Sequence, residues 1–401
     1  MHVPNNSHLS YCTNIHPGQT WEAVFDSLKE HVPPLKAALS PSGPFGIGLR
    51  LSRQASQELG LGAELDRFRR WLDQNDCYVF TMNGFPYGGF HGKRVKDTVH
   101  RPDWTTRERV DYTLMLFRQL EALLPEGVDG SISTSPLSYK PWYEGQPGKL
   151  EAALLQSTNH LLEVIQFLEE IHRRSGKYLH LAIEPEPDGL LENTEEVLAY
   201  YDAWLLPMGK TALGARLNPD QIEGLLKRFL TICYDVCHYA VEYEEPARAI
   251  RQMQDAGIKI GKVQISAALQ AQLPAEPKAR EQVGKALAPF NESTYLHQVI
   301  ERNEQGALRQ FPDLPEALQS LNETGNREWR CHFHVPLFVK EYGLLRSTQA
   351  EIEKVLKMQR IGPISHHLEV ETYTWEVLPD ELRLELTDSI RRELEWVKQR
   401  L

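Results

Sequence analysis

An apolar run that ends in a carboxylate and is followed at once by an imidazole can hold a metal ion. LTICYDVCH, Leu230 to His238, has this form, with Asp235 closing the run and His238 three residues on. On a continuing strand that spacing would put the two side chains on opposite faces. They converge only if the strand stops near Asp235 and the chain turns, as it does where a site is built at the carboxyl end of a parallel strand. The plainer reading is an acidic N-cap with a surface histidine. Three other stretches repeat the form. In YLHLAIEPEP, Glu184 closes an apolar run and Pro185, which has no N–H to give, should end the pairing there, with Glu186 lying further out. His332 and His334 in CHFHV have period two, so both imidazoles face one side of an extended segment. Glu369 and Glu371 in HLEVETY share a face in the same way, with Val370 opposite. Each pair alone also fits the polar outer face of a half-buried strand. The ordered set is the stronger signal, and mixed carboxylate and imidazole donors suit a divalent metal ion, Zn²⁺ or Mn²⁺.

These residues need elements to carry them. HLSYCTNIH (His8 to His16) predicts a first strand. A helix follows, with Trp21, Val24, Phe25, Leu28 and Val32 at helical spacing, Thr20 as N-cap and Pro33-Pro34 as its stop. FGIGLRLS and CYVFTMNGF predict the second and third strands, with the helix ELDRFRRWLDQ between them. A helix over Thr106 to Leu124 leads to the fourth strand, GSISTSP, and a long one over Leu150 to Arg174 to the fifth, Tyr178 to Pro187. The run ending at Asp235 is the sixth strand and IGKVQISAAL (Ile260 to Leu269) the seventh. Alternation without hairpin signals implies parallel strands joined by crossovers. An open doubly wound sheet and a closed (β/α)8 barrel both fit, and reactive side chains at the ends of several strands favour the barrel. Gln270 to Arg330 breaks the pattern as a long insertion with helical pieces, read as a cap over one face of a single domain. CHFHVPLF is then an extra strand-like segment, HHLEVETYTW closes the count, and an amphipathic helix over Asp380 to Leu401 ends the chain.

Composition bounds the partners. The 401 residues are 41% hydrophobic and 25% charged, enough to bury a full core. A net charge of -11 disfavours nucleic acid, which calls for a basic surface. Five scattered cysteines without a C-x-x-C pair suggest reduced thiols in a cytoplasmic protein. Neither a signal peptide nor a membrane-spanning apolar run is visible, so no membrane insertion is expected. The glycine-rich loop Gly84 to Lys96 is one residue short of a P-loop and lacks its Ser/Thr, yet Lys93 in it could hold a substrate phosphate or carboxylate. His91 in that loop is a further candidate ligand, and Asn14 and His16, ending the first strand, are candidates to line the mouth.

The ordered set resembles the xylose-isomerase-like barrel superfamily of sugar isomerases, epimerases and metal-dependent apurinic endonucleases. The resemblance implies a metal set of Glu184 after the fifth strand, Asp235 and His238 after the sixth, and Glu369 or Glu371 on the eighth. His332 and His334 match an element of the endonuclease branch, and Gln264 stands where a seventh-strand histidine is usual. The phrases YCTNIHPGQTW, FGIGLRLS, NGFPYGGFHG, STYLHQV, HFHVPLF and LEVETYTW also resemble the EboE family of metabolite traffic proteins, over nearly the whole chain. That family is associated with gene clusters moving secondary-metabolite precursors, which implies a small-molecule metabolite and other proteins of the cluster as partners. The expected function is metal-assisted isomerisation or epimerisation of a sugar-like or polyol-like metabolite. Glu184 and Glu369 would bind the metal and move the proton, His238 would also meet the substrate, and Asp235 and His334 would complete the shell. A non-catalytic carrier on the same barrel and an apurinic-type endonuclease are the alternatives.

Overall fold

The computed structural model describes residues 1–89, 96–291, 296–323, 327–372, 374 and 385–401. Within them the apolar runs become parallel strands. They are β1 (Ser7–Tyr11), β2 (Phe45–Arg50), β3 (Cys77–Asn83), β4 (Gly130–Thr134), β5 (Leu179–Ile183), β6 (Leu230–Asp235), β7 (Ile260–Ile265) and β8 (His367–Val370). Each of β2 to β7 pairs with its neighbours in chain order, and β8 pairs with both β7 and β1. A parallel bridge between Cys12 and Gly48 brings β1 to β2 and closes the ring. Helices cover the outside, so the strands are buried on both faces and read as continuous apolar runs.

Gly48 sits at this closure for a steric reason. A Cβ there would overlap the Glu369 carboxylate and stand 2.8 Å from the Tyr11 carbonyl oxygen. Gly48→Ala is therefore expected to cost about 1–3 kcal/mol or more by overpacking, read as a lowered midpoint in urea unfolding.

Two elements differ from the sequence reading. The first helix does not stop at Pro33-Pro34 but runs from Trp21 to Leu39. Leu35 and Leu39 extend the buried stripe of Leu28 and Val32, and this packing outweighs the hydrogen bonds the prolines cannot give. After β7 the inserted segment holds more than helical pieces. It builds a six-stranded antiparallel sheet in the order Leu308–Phe311, Val299–Asn303, Arg327–His334, Ala268–Leu273, Leu345–Ser347, Glu341–Tyr342. Helices Pro277–Leu287 and Leu314–Gln319 are its helical pieces. IGKVQISAAL is thus two strands, broken at Ser266–Ala267 where the chain passes between sheets. The strand Arg327–His334 carries the His-x-His pair to the barrel mouth, and its register against Ala268–Leu273 shifts between Cys331 and His334. A bulge of this kind re-aims side chains beside a site.

The last helix is Leu386–Lys398, tied by Lys398 Nζ to the Leu39 carbonyl oxygen at 2.7 Å; positions 380–384 lie outside the described residues. All five cysteines are free thiols. No helix among the described residues is long and apolar enough to cross a membrane.

Candidate metal centre

Asp235 ends β6 and does two things at once. Its Oδ1 accepts the His238 backbone N–H at 3.0 Å and the Ser266 hydroxyl at 2.7 Å, capping the short helix Val236–Val241. Its Oδ2 is buried and accepts no hydrogen bond. That turn brings His238 back over the strand end, its Nε2 3.9 Å from Asp235 Oδ2. His238 is 5% exposed, so it is no surface residue.

Three imidazoles meet here, with ring centroids 4.6 Å apart for His238–His332, 5.9 Å for His238–His334 and 5.7 Å for His332–His334. Each is oriented through Nδ1. That atom faces the Pro185 carbonyl oxygen in His238 (3.0 Å), the Glu371 carbonyl oxygen in His334 (2.9 Å) and Gln298 Oε1 in His332 (2.9 Å). Oxygens of this kind only accept, so Nδ1 carries the proton and Nε2 keeps its lone pair for a metal. Burial holds His334 down to about 4 and, with His238 and His334 beside it, holds His332 well below the usual imidazole range. The two rings are therefore neutral, as ligands must be.

Three carboxylates join them. Glu184 follows β5, its N–H bonded to the Thr134 carbonyl oxygen at 2.9 Å, and Glu371 follows β8, with Asn14 Nδ2 donating to its Oε1 at 2.7 Å. Ligand atoms of Glu184, Asp235 and Glu371 lie within 4.8 Å of one another, and so do those of Asp235, His238 and His334 and those of Cys237, His332 and His334. Such crowding of buried negative charge has a cost. Burial and then Asp235 push Glu184 up to about 8, and burial with Glu184 and Asp235 beside it pushes Glu371 well above the carboxylate range. Burial acts on Asp235 in the same sense, but His238, His334 and the Ser266 hydroxyl outweigh it and bring it below its ordinary value. A divalent cation relieves the same repulsion without protons. The unpartnered Asp235 Oδ2, the lone pairs on Nε2 and the oxygen-rich set fit such an ion.

Several expected residues sit elsewhere. Glu369 does share an inward face with Glu371, but one layer deeper: its Oε2 is 2.7 Å from Lys262 Nζ and accepts from Asn83 Nδ2 at 2.9 Å, with both charged side chains fully buried. Its partner is Lys262 in the barrel interior, and it is in none of the groups of donor atoms that lie together at the mouth. Gln264 belongs to that layer too, its Nε2 on Asn83 Oδ1 at 2.9 Å, and does not line the cavity above. The turn Thr13–Ile15 sends Asn14 into the mouth but His16 outward, against the His31 ring at 4.5 Å and the Tyr11 hydroxyl at 2.9 Å. Lys93 and His91 lie outside the described residues. Sequence reasoning did not single out Cys237, Gln298 or Lys262. Only Lys262 left a signal, a charge in an apolar strand two residues from Gln264 and hence on its face.

Above the cluster lies a cavity lined among others by Asn14, Phe85, Lys96, His100, Glu186 and Gln298. A pocket closed on one side by metal donors and on the other by mixed polar and aromatic groups can orient a small polar molecule.

No family model matches the sequence, and no curated protein matches it. Solved structures are similar in fold. A xylose isomerase-like TIM barrel protein from Mycobacterium smegmatis in complex with magnesium is 9% identical, with 100% of this chain and 98% of that one covered at a TM-score of 0.50. The probable 3-DHS dehydratase AsbF from Bacillus anthracis is 12% identical over 97% of each chain, at a TM-score of 0.43. The IolI protein with a binding zinc atom is 11% identical over 97% of this chain and 96% of that one, at 0.42. At 9% identity the likeness to the first is one of fold: this chain is built as a xylose isomerase-like TIM barrel.

Proposed function

We propose that the protein is a metal-dependent enzyme that isomerises or epimerises a small, sugar-like polar metabolite at the barrel mouth. The observation that carries this is the convergence of Glu184, Asp235 and Glu371 with three buried imidazoles at the carboxyl ends of the strands. Glu184, Asp235, Glu371, His238, His332 and His334 would hold the ion, which supplies Lewis acidity at a substrate oxygen. That the Mycobacterium smegmatis barrel of this fold was obtained with magnesium is in keeping with a divalent ion here.

Glu184 and Glu371 then take the acid–base roles, with Glu371 standing where the sequence had suggested Glu369. As carboxylates beside the ion they would accept a proton from a carbon beside a carbonyl and, then holding it as the acid, return it to the same or the neighbouring carbon. Asn14, by donating to Glu371 Oε1, fixes that carboxyl and leaves its other oxygen for substrate or metal. The resemblance to the EboE phrases adds a precursor of a secondary metabolite as the substrate and proteins of the same cluster as partners.

Elemental analysis of the purified protein beside Asp235→Ala and His334→Ala variants tests the reading. Stoichiometric zinc or manganese in the parent and its loss from folded variants is the expected result. No ion in the parent, even after incubation with excess zinc and manganese, would sink it and leave the barrel as a binding scaffold.

A further inference from the structure

One carboxyl on the cavity wall has an oxygen without a hydrogen-bond partner among the described residues. Glu186 lines the cavity, is only 8% exposed, and its buried Oε1 accepts no hydrogen bond. His100 Nδ1 is 3.5 Å away, beyond a good hydrogen bond, and is itself unpartnered. Among the described residues the lysines on this side are already paired. Lys96 holds Asp313, and Lys140 holds Glu192 at 2.6 Å and Glu196 at 2.8 Å. Ionising a buried carboxyl is costly, and burial with Glu184, Asp235 and Asp188 nearby pushes this one well above its ordinary range; a cation held against it would lift that cost.

The surroundings say what kind of ligand. The Phe85 ring, also on the cavity wall, has its centroid 5.9 Å from that of His100, and His100 stacks on Tyr139 at 4.8 Å. Aromatic faces beside a carboxylate attract a cation from both sides. Among the described residues the wall also carries Glu184 and Glu371, with Asp235 beside them, so these four carboxyls outnumber the two charges of a divalent ion. Beside this group a phosphorylated or carboxylated substrate would meet groups of its own sign.

We infer that Glu186 and the adjoining aromatic wall recognise a protonated amine, so that the substrate is an amino-bearing polyhydroxy metabolite of the amino-sugar or amino-polyol class. This rests on reading the mouth as a substrate site. The ammonium would donate to Glu186 while hydroxyls of the same molecule face the metal donors. A carboxylate can also accept from two neutral hydroxyls, and the test separates the two cases.

Isothermal titration of the zinc-loaded protein with D-glucosamine, D-glucose, N-acetyl-D-glucosamine and D-glucose 6-phosphate is the experiment. D-glucosamine is expected to bind about tenfold or more tighter than the others, the scale of one charge-assisted hydrogen bond. Glu186→Gln, which keeps the shape and removes the charge, is expected to erase that preference while zinc content stays at the parent's level. Equal affinities, tighter binding of the uncharged or phosphorylated sugars, no binding of the amine at millimolar concentration, or a preference that survives Glu186→Gln would each overturn the inference. Zinc content on the same samples keeps this separate from the metal reading. If the parent holds no zinc, the amine contrast is read on the metal-free protein by the same criteria.

Discussion

Glu369→Gln is expected to destabilise the protein by about 3–5 kcal/mol, the scale of leaving one member of a buried ion pair alone. Lys262 and Glu369 are both 0% exposed, and the interior of the barrel around them offers amides and hydroxyls but no water-facing route. Burial alone pulls the Lys262 ammonium down, yet Glu369 together with the buried Cys233 and Cys12 outweighs it and raises the lysine above its ordinary value. Removing the negative charge while keeping the volume leaves the ammonium with neutral acceptors only: the new amide oxygen, Asn83 Oδ1 at 3.0 Å and Ser133 Oγ at 3.4 Å. Asn83 Oδ1 already accepts from Gln264 and Ser133, so it cannot make up the loss. The companion Lys262→Met, Glu369→Gln variant removes both charges and should recover most of the stability. Urea unfolding measures both, and metal content is expected to stay at the parent's level in each. A cost below about 1 kcal/mol together with a lost ion would return Glu369 to the metal set and remove the interior pair from the account.

The same two glutamates mark the limit of what was legible in the sequence. Period two correctly puts Glu369 and Glu371 on one inward face, but it says nothing about depth. Depth is set by register, with Glu369 level with Gln264 on β7 and Ser10 on β1, and by Gly48, whose bare Cα makes room for the deeper carboxylate. The parallel strands were readable because burial on both faces makes each an apolar run. Their carboxyl-end residues followed, since a polar group ending such a run has only the mouth to go to. At Asp235 the two oxygens divide the work: Oδ1 caps a helix, as the plain reading expects, and Oδ2 is buried without a hydrogen bond. The inserted sheet was not readable as a sheet. Its edge strand Leu308–Phe311 is mostly exposed, and Ala268–Leu273 continues without a turn signal from β7, so neither the alternation nor a break announced it.

Metal affinity is expected to rise steeply with pH, by about one power of ten per pH unit for each proton displaced, between about pH 6 and about pH 8. The physical ground is the carboxylate crowding. Glu184, ordinarily near 4.5, is pushed up to about 8 by burial and by Asp235, and Glu371 is pushed up in the same direction. In the metal-free protein these groups hold protons that an unfolded chain would have released. A folded value above the unfolded one is stabilising below the unfolded value and is lost as pH rises through the folded one. Metal-free protein should therefore lose stability between about pH 4.5 and about pH 8. His334, brought down to about 4 by burial, acts on the other limb: its contribution is present above its ordinary 6.5 and disappears as pH falls toward 4. A bound ion takes over the work of the protons, so zinc should flatten the alkaline limb and raise the unfolding midpoint more at pH 8 than at pH 6. Calorimetric titration in two buffers of different ionisation enthalpy counts the protons released, and one to two are expected, from Glu184 and Glu371. An affinity that does not change over this range would mean that both carboxyls are already ionised in the metal-free protein, and that Glu184, Asp235 and Glu371 tolerate one another by means other than a shared proton.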